Sequence, residues 1–462
     1  MINVFEPKAS ALPAIYSREG APEQYHGHPF IEALDLFKSE RTLVELMTRE
    51  FSVFAEDRTS SRSTRMHLLR ANTTTYVPLQ RDLDLWSTLL SAMGASVYAR
   101  CANDPNYYIK LLNGSPIDSS CSESYKPSFT ILSGVSGSGK TTAVESFLRS
   151  FPRVIQHTEY GGHQFFTKQI PWIKINFPAK KSDKSFLVLI LAEIYRRLEQ
   201  PVDLVRISRP PIEVLTEQVA NLFAIHGIAL LAIDNCENLI TYSPVAKQET
   251  LGSLFNLYEK IGALVLFIGT EEIDTVIGSE LRAHRRSLEH QIPRFRALTG
   301  ADWSRFAEAT WKAQYLEDYL PLTDSLKSTL KGISLGLPGL ARPIYVAAQI
   351  EAIKYGKKKY GGEVITCELL QHVAESAEIK SVRSKLTGSP IKRKETKKST
   401  KQTATPAPTS EKLDPGQRLN VAESDKEILN SIVAISESSS DPISALGELG
   451  LKPPIELFGG HL

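Results

Sequence analysis

The chain has 462 residues, 42% of them hydrophobic, with a formal net charge of +2. That length suits about two to four domains. No apolar run reaches the roughly 18 residues that cross a bilayer, and the near-neutral balance excludes a uniformly basic binder, so any nucleic-acid contact needs a local patch. Residues 380–401 hold nine Lys/Arg against one acid, and residues 402–462 hold nine acids against four bases. The opening residues show no basic stretch followed by an apolar one, so no secretory signal is expected. Cys101, Cys121, Cys236 and Cys367 are far apart. They have neither metal spacing nor a disulfide framework, which points to buried free thiols in a reducing cytosol.

Residues 1–125 read as a helical appendage. His26 and His28 suit a surface loop. Leu34, Leu36, Phe37, Leu43, Leu46 and Met47 give residues 31–54 the apolar spacing of a helix packed on one face. Arg58, Arg62, Arg65 and Arg70 form a basic run, expected as a solvated face. Residues 79–93 have helical spacing, Gly94 is expected to end that helix, and residues 97–100 follow as a short strand or turn.

Phe129, Ile131 and Leu132 then predict a buried strand, followed by GVSGSGKT and a helix-forming run. Strand, glycine-rich loop and helix are the context a P-loop requires. Gly134, Ser136, Gly137, Ser138, Gly139, Lys140, Thr141 and Thr142 are the expected phosphate-binding set. Backbone N–H groups would face phosphate oxygens, with the helix N-terminus behind them. Lys140 would reach the β/γ-phosphates and the Thr141 hydroxyl would bind Mg²⁺. ATP and Mg²⁺ are the cofactors implied.

Residues 154–157 and 170–177 predict short strands, and residues 185–198 and 212–226 amphipathic helices. Residues 227–234 (GIALLAID) and 262–269 (GALVLFIG) read as buried strands. Buried strands alternating with helices predict a parallel α/β sheet covered on both faces. Asp234 ends its strand where a Walker-B acid should be and would hold Mg²⁺ through water. Asn235 follows, where many such ATPases have a glutamate to orient the attacking water. Glu237 reaches that water only if the chain turns back. Thr270, after the next strand, suits a hydrogen bond to the γ-phosphate or water. Arg282, Arg285 and Arg286 are candidates for a finger to a neighbouring subunit's nucleotide, with Arg285 the preferred one. Residues 301–379 predict a small helical lid, in which Arg342 follows a Gly-Leu-Pro-Gly turn and would face the phosphates. Residues 380–417 read as a disordered linker, and residues 425–435 as a short segment able to fold on a partner.

GVSGSGKT, ALLAIDN, LVLFIGT and a lid with GLPGLAR together resemble AAA+ ATPases. More narrowly, residues 66–98, INFPAKKSDKS, IDNCENL, FIGTEEI and ISLGLPGLARPIYVAAQIEAI are similar to the TnsC/TniB regulators of heteromeric bacterial transposons. The resemblance spans roughly residues 60–375. It implies a P-loop AAA+ core at residues 126–300, the lid at 301–379 and a flexible tail at 380–462 that recruits partners. It also implies an ATPase that forms a ring or filament on double-stranded DNA in the bacterial cytoplasm, linking a target-selector protein to transposase and endonuclease subunits. By that resemblance Lys180, Lys181 and Lys184 track the DNA backbone without reading sequence. Asn235 departs from the family's usual glutamate, which implies slow turnover. A signalling or defence ATPase of the same fold, without a transposase, is the competing reading. A small-molecule phosphotransferase lacks an acceptor site and base in the sequence. No membrane contact is expected.

Overall fold

The computed structural model describes residues 11–49, 53–71, 75–103, 107–113, 129–179, 184–274, 276–277, 294–359 and 361–387. Among these, no helix is long and apolar enough to cross a membrane.

The N-terminal region begins with β1 (Leu12–Pro13), followed by α1 (Pro29–Leu34), α2 (Glu40–Met47), α3 (Ala55–Thr59), α4 (Arg62–Ala71), α5 (Gln80–Asn103) and α6 (Tyr107–Leu112). The single helix expected over residues 31–54 is two helices. Asp35 adopts a left-handed conformation (φ 48°) that ends α1, and the Ser39 side chain caps α2. Gly94 does not stop α5, which runs on through the expected strand or turn. A Cβ at Gly94 would lie 3.2 Å from Leu36 Cδ1, so the glycine serves helix packing. His28 is half-buried between the rings of Tyr98 and Tyr108 rather than on a surface loop.

The core follows with β2 (Phe129–Ser133), α7 (Lys140–Arg149), β3 (Ile155–Tyr160), β4 (His163–Gln169), β5 (Trp172–Asn176), α8 (Ser185–Arg197), α9 (Leu204–Ser208), α10 (Ile212–Ile225), β6 (Leu230–Asp234), α11 (Pro244–Ile261) and β7 (Leu264–Gly269). Four strands form a parallel sheet in the order β2-β7-β6-β5. All residues of β6 and β7 are buried, as a sheet covered on both faces requires. On one face α5 and α7 bury Leu89, Met93, Val144 and Phe147 against Ala232 and Leu266. On the other, α8, α10 and α11 bury Ile190, Val219 and Leu254 against Ile233 and Val265. Phe295 bridges Gly134 in parallel, extending the sheet beside β2. There Gly134 is obligatory, because a Cβ would lie 2.1 Å from the Phe295 carbonyl oxygen. The β3–β4 hairpin pairs with β1 in a separate sheet; β4 has no counterpart among the expected strands.

The lid comprises α12 (Gly300–Lys312), α13 (Asp324–Ser334), α14 (Pro338–Lys359), α15 (Cys367–Ala374) and α16 (Ala377–Thr387). They share one core around Trp311, Tyr345, Leu330 and Leu370. Residues 380–387, expected within a disordered linker, are helical in α16. Ile379, Val382 and Leu386 recur at helical spacing and pack on the lid core, offsetting the charge of their neighbours. The remaining linker and the segment at 425–435 lie outside the described residues.

Arg62 and Arg70 are exposed, as a solvated face requires, but Arg65 departs from that expectation. It is 1% exposed and bidentate to Glu363, with Nη2 2.8 Å from Oε1. Arg65 also donates to the carbonyls of Ser60 and Tyr315. Arg58 donates to the Gln314 carbonyl and stacks its guanidinium over Tyr319. Arg58 and Arg65 therefore fasten α3 and α4 to the lid.

Candidate functional site: a nucleotide cleft at the strand ends

The C-terminal ends of β2, β6 and β7 converge where the loop 134–139 enters α7. That placement follows from the parallel sheet, which opens a crevice outside its carboxyl ends. Gly137 and Gly139 take positive φ, and Gly139 precedes α7 without any side-chain cap. The uncapped first turn leaves N–H groups and the positive helix end facing the cleft.

A cavity of about 260 Å³ lies here, lined by Ser136, Gly137, Gly139, Lys140, Thr141 and Thr142 from the loop and α7. Asp234, Asn235, Glu237, Gly269 and Thr270 line its floor, and Pro338, Gly339 and Arg342 its lid side. Gly134 lies just behind, on β2's edge, and Ser138 is fully buried. The Lys140 ammonium donates to the Gly134 and Val135 carbonyls at 2.8 and 3.1 Å. Burial pulls its pKa down, opposed by the charges of Glu237, Asp234 and Glu271. Thr141 Oγ1 donates to Asp234 Oδ1 at 3.3 Å, and the Asn235 N–H donates to the same oxygen at 2.9 Å.

Asn235 adopts a left-handed conformation (φ 57°, ψ 38°) and starts the 3₁₀ turn Cys236–Thr241. The chain thus turns back at once, which brings Glu237 into the cleft. Extended geometry would have carried it about 6–7 Å onward. Glu237 Oε2 is buried without a hydrogen-bond partner, as is Ser138 Oγ. The Thr270 hydroxyl donates to Glu272. Arg342 lines the cleft but gives Nη2 to the Thr75 carbonyl, and burial lowers its pKa. The lid touches the P-loop directly: Gly339 N donates to Gly137 O at 2.9 Å.

Three groups of neighbours were not among the expected site residues. Arg81 donates to the Ser138 carbonyl at 2.5 Å and the Arg296 carbonyl at 2.9 Å, with its guanidinium 4.3 Å from the Phe295 ring centroid. Tyr76, Arg81, Asp82, Phe306 and Thr310 line a smaller cavity of about 50 Å³ that shares Gly139, Thr142, Pro338 and Arg342 with the cleft. Lys174 reaches Asp234 from the neighbouring strand. No spacing rule marks these residues, because each is brought in by tertiary structure. A larger cavity of about 700 Å³ lies among α4, α14, α15 and α16, and shares only Pro338, Gly339 and Arg342 with the nucleotide cleft. The cleft, not that cavity, brings Lys140, Asp234 and Glu237 together at the P-loop.

Of the other expected residues, Lys184 precedes α8 and donates to the Pro210 carbonyl at 2.7 Å. Lys180, Lys181, Arg282, Arg285 and Arg286 lie outside the described residues. Among the described residues no group of His, Cys, Asp and Glu suits a protein-only metal site. The cleft nevertheless fits a magnesium–nucleotide: an uncapped helix start, a lysine and a threonine meet an acid, with two buried polar oxygens unpartnered.

Matches among solved structures include Drosophila ORC bound to DNA, at 13% identity over 70% of this chain and 76% of that one (TM-score 0.34). A Walker-type ATPase of Pyrococcus abyssi matches at 13% identity over 76% and 85% (TM-score 0.37). A structure of katanin self-assembly matches at 13% identity over 73% and 93% (TM-score 0.32). A search of curated proteins finds no match. The family comparison assigns the nucleotide-binding core itself: residues 123–277, which contain the P-loop, Asp234, Glu237 and Thr270, match the AAA domain.

Proposed function

We propose that this chain is an ATP-dependent AAA+ regulator of transposition that oligomerises on duplex DNA and links a target selector to transposase and endonuclease subunits. One observation carries the ATPase part: Lys140, Thr141, Asp234 and Glu237 converge on one cleft under a lid that is hydrogen-bonded to the P-loop. Thr141 and Asp234 would hold Mg²⁺, which when bound neutralises phosphate charge. Lys140 exchanges its two carbonyl partners for β/γ-phosphate oxygens. Glu237 supplies the free carboxylate oxygen that takes a proton from the attacking water, a role Asn235 cannot fill because an amide accepts no proton at neutral pH. Thr270 orients the same water or the γ-phosphate, and Arg342 answers from the lid. Arg285 would act in a neighbouring subunit's cleft.

The transposition part is supported by the segments that resemble TnsC/TniB regulators and by the lysines of residues 180–184. A lysine loop repeated on each subunit neutralises successive phosphates without reading sequence. The test is electron microscopy of the full chain with duplex DNA, with and without a non-hydrolysable ATP analogue. Rings or filaments form on DNA only with nucleotide, and Lys140→Ala abolishes them. Monomers that bind nucleotide and ignore DNA would replace this reading with the signalling one.

A further inference from the structure

Lys174 lies on β5, whose register pairs it with Ala232 and pairs Asn176 with Asp234. Alternation along the strand therefore puts the Lys174 side chain on Asp234's face of the sheet. Its Nζ is 3.1 Å from Asp234 Oδ2 and 2.8 Å from Glu145 Oε1, and the side chain is 17% exposed. Glu145 stands four residues after Thr141 on α7, hence one turn along the same helix face. The other Asp234 oxygen is taken by Thr141 Oγ1 and the Asn235 N–H.

One ammonium thus sits between the acid of the metal position and a carboxylate of the P-loop helix. Strand pairing already holds β5 to β6, so the cation is not needed to join them. What it changes is charge. A bare Asp234 carboxylate would face the phosphates of a nucleotide as a like charge whenever no divalent ion stood between them. Lys174 neutralises it from the side away from Thr141, and Glu145 keeps the ammonium in place when the metal position fills.

We propose that Lys174 is a built-in counter-cation of Asp234, a positioning residue that lets the cleft retain nucleotide without Mg²⁺ and so sets how steeply nucleotide affinity depends on that ion. This rests on the magnesium–nucleotide reading of the cleft. The test measures binding of a fluorescent non-hydrolysable ATP analogue to the full chain in saturating Mg²⁺ and in EDTA. The readout is the ratio of the two dissociation constants. Lys174→Met weakens binding in EDTA by about tenfold and leaves binding in Mg²⁺ within about twofold. Lys174→Arg keeps the wild-type ratio. Glu145→Gln frees Lys174 for Asp234 alone and makes binding less magnesium-dependent. An unchanged ratio in Lys174→Met, or an equal loss in both conditions, overturns the proposal. If that variant does not fold, a ratio in Glu145→Gln that is unchanged or moves toward stronger dependence overturns it instead. Absence of binding by the wild-type chain in both conditions sinks the cleft reading, whereas binding in Mg²⁺ with none in EDTA overturns the Lys174 role alone.

Discussion

Two buried polar clusters in this molecule are built on opposite principles. At the junction of α4 with the lid, Arg65 meets both oxygens of Glu363 and the carbonyls of Ser60 and Tyr315, while Glu363 also accepts the Glu317 N–H. That cluster is internally saturated. In the cleft, Glu237 Oε2 is buried with no partner, Ser138 Oγ is likewise unpartnered in the loop beside it, and the first turn of α7 has no side-chain cap. Desolvated polar atoms are normally paired within the fold, so an unpaired carboxylate oxygen that lines an open cavity is where a ligand can complete the bonding. Burial and charge look alike in the two places; an unpaired carboxylate beside an open cavity separates the binding site from the structural clasp.

The comparison breaks most sharply at the clasp. Arg65→Ala leaves the Glu363 carboxylate buried without its guanidinium, and unfolding in denaturant should show a loss of about 3–5 kcal/mol. Replacing both residues by apolar ones of similar volume should recover most of that loss. If the single and double variants are equally unstable, the pair is not the source of the stability. Next in size, Glu237→Gln keeps the shape of the cleft but removes its base. ATP turnover should fall about 100-fold, with nucleotide affinity changed little. Equal loss of affinity and turnover would make Glu237 a packing residue. Asn235→Glu, by contrast, should give no gain in turnover. That position is left-handed (φ 57°), which Asn tolerates better than Glu, and Glu237 already supplies the carboxylate to the cleft.

The difference between the clusters also explains what could be read from the sequence. The P-loop was legible because its residues act within one strand–loop–helix unit, where spacing alone fixes geometry. β6 and β7 were legible because continuous apolar runs suit strands buried on both faces. Glu237 could be nominated but not placed, since its reach depends on one dihedral pair at Asn235. Arg65 was misread because its partner Glu363 lies 298 residues away, so nothing nearby distinguishes it from a solvated arginine. α16 was misread because composition favoured disorder, while the apolar spacing of Ile379, Val382 and Leu386 matters only with the lid core beside it. Lys174 and Arg81 sit in ordinary strand and helix patterns, and only sheet register and helix docking bring them to the cleft. β4 hid for a similar reason: its polar residues suit an exposed hairpin face and give no apolar run.

The smallest predicted loss sharpens the comparison in a third buried cluster, one that is saturated only when neutral. His157 is 0% exposed between β1 and β4. Its Nδ1 accepts from Tyr16 OH at 2.8 Å, and Nε2–H donates to Gln169 Oε1 at 3.0 Å, whose amide donates onward to the Phe30 carbonyl. Protonation would put a second N–H against the Tyr16 hydroxyl in a site without a carboxylate partner, and burial pushes the His157 pKa down to about 4. The folded state therefore binds its proton more weakly than the unfolded chain, whose histidine titrates near 6.5. Stability from this group is complete above about pH 6.5 and is lost as pH falls toward about 4. Between pH 7 and pH 5 the loss should be about 2 kcal/mol, read as a falling denaturation midpoint. His157→Gln removes the titration, so its acid slope over that range should be flatter than the wild type even if its stability at neutral pH is lower. Parallel slopes would place the acid sensitivity elsewhere, and would mean that the Tyr16–His157–Gln169 chain tolerates charge as the arginine clasp does.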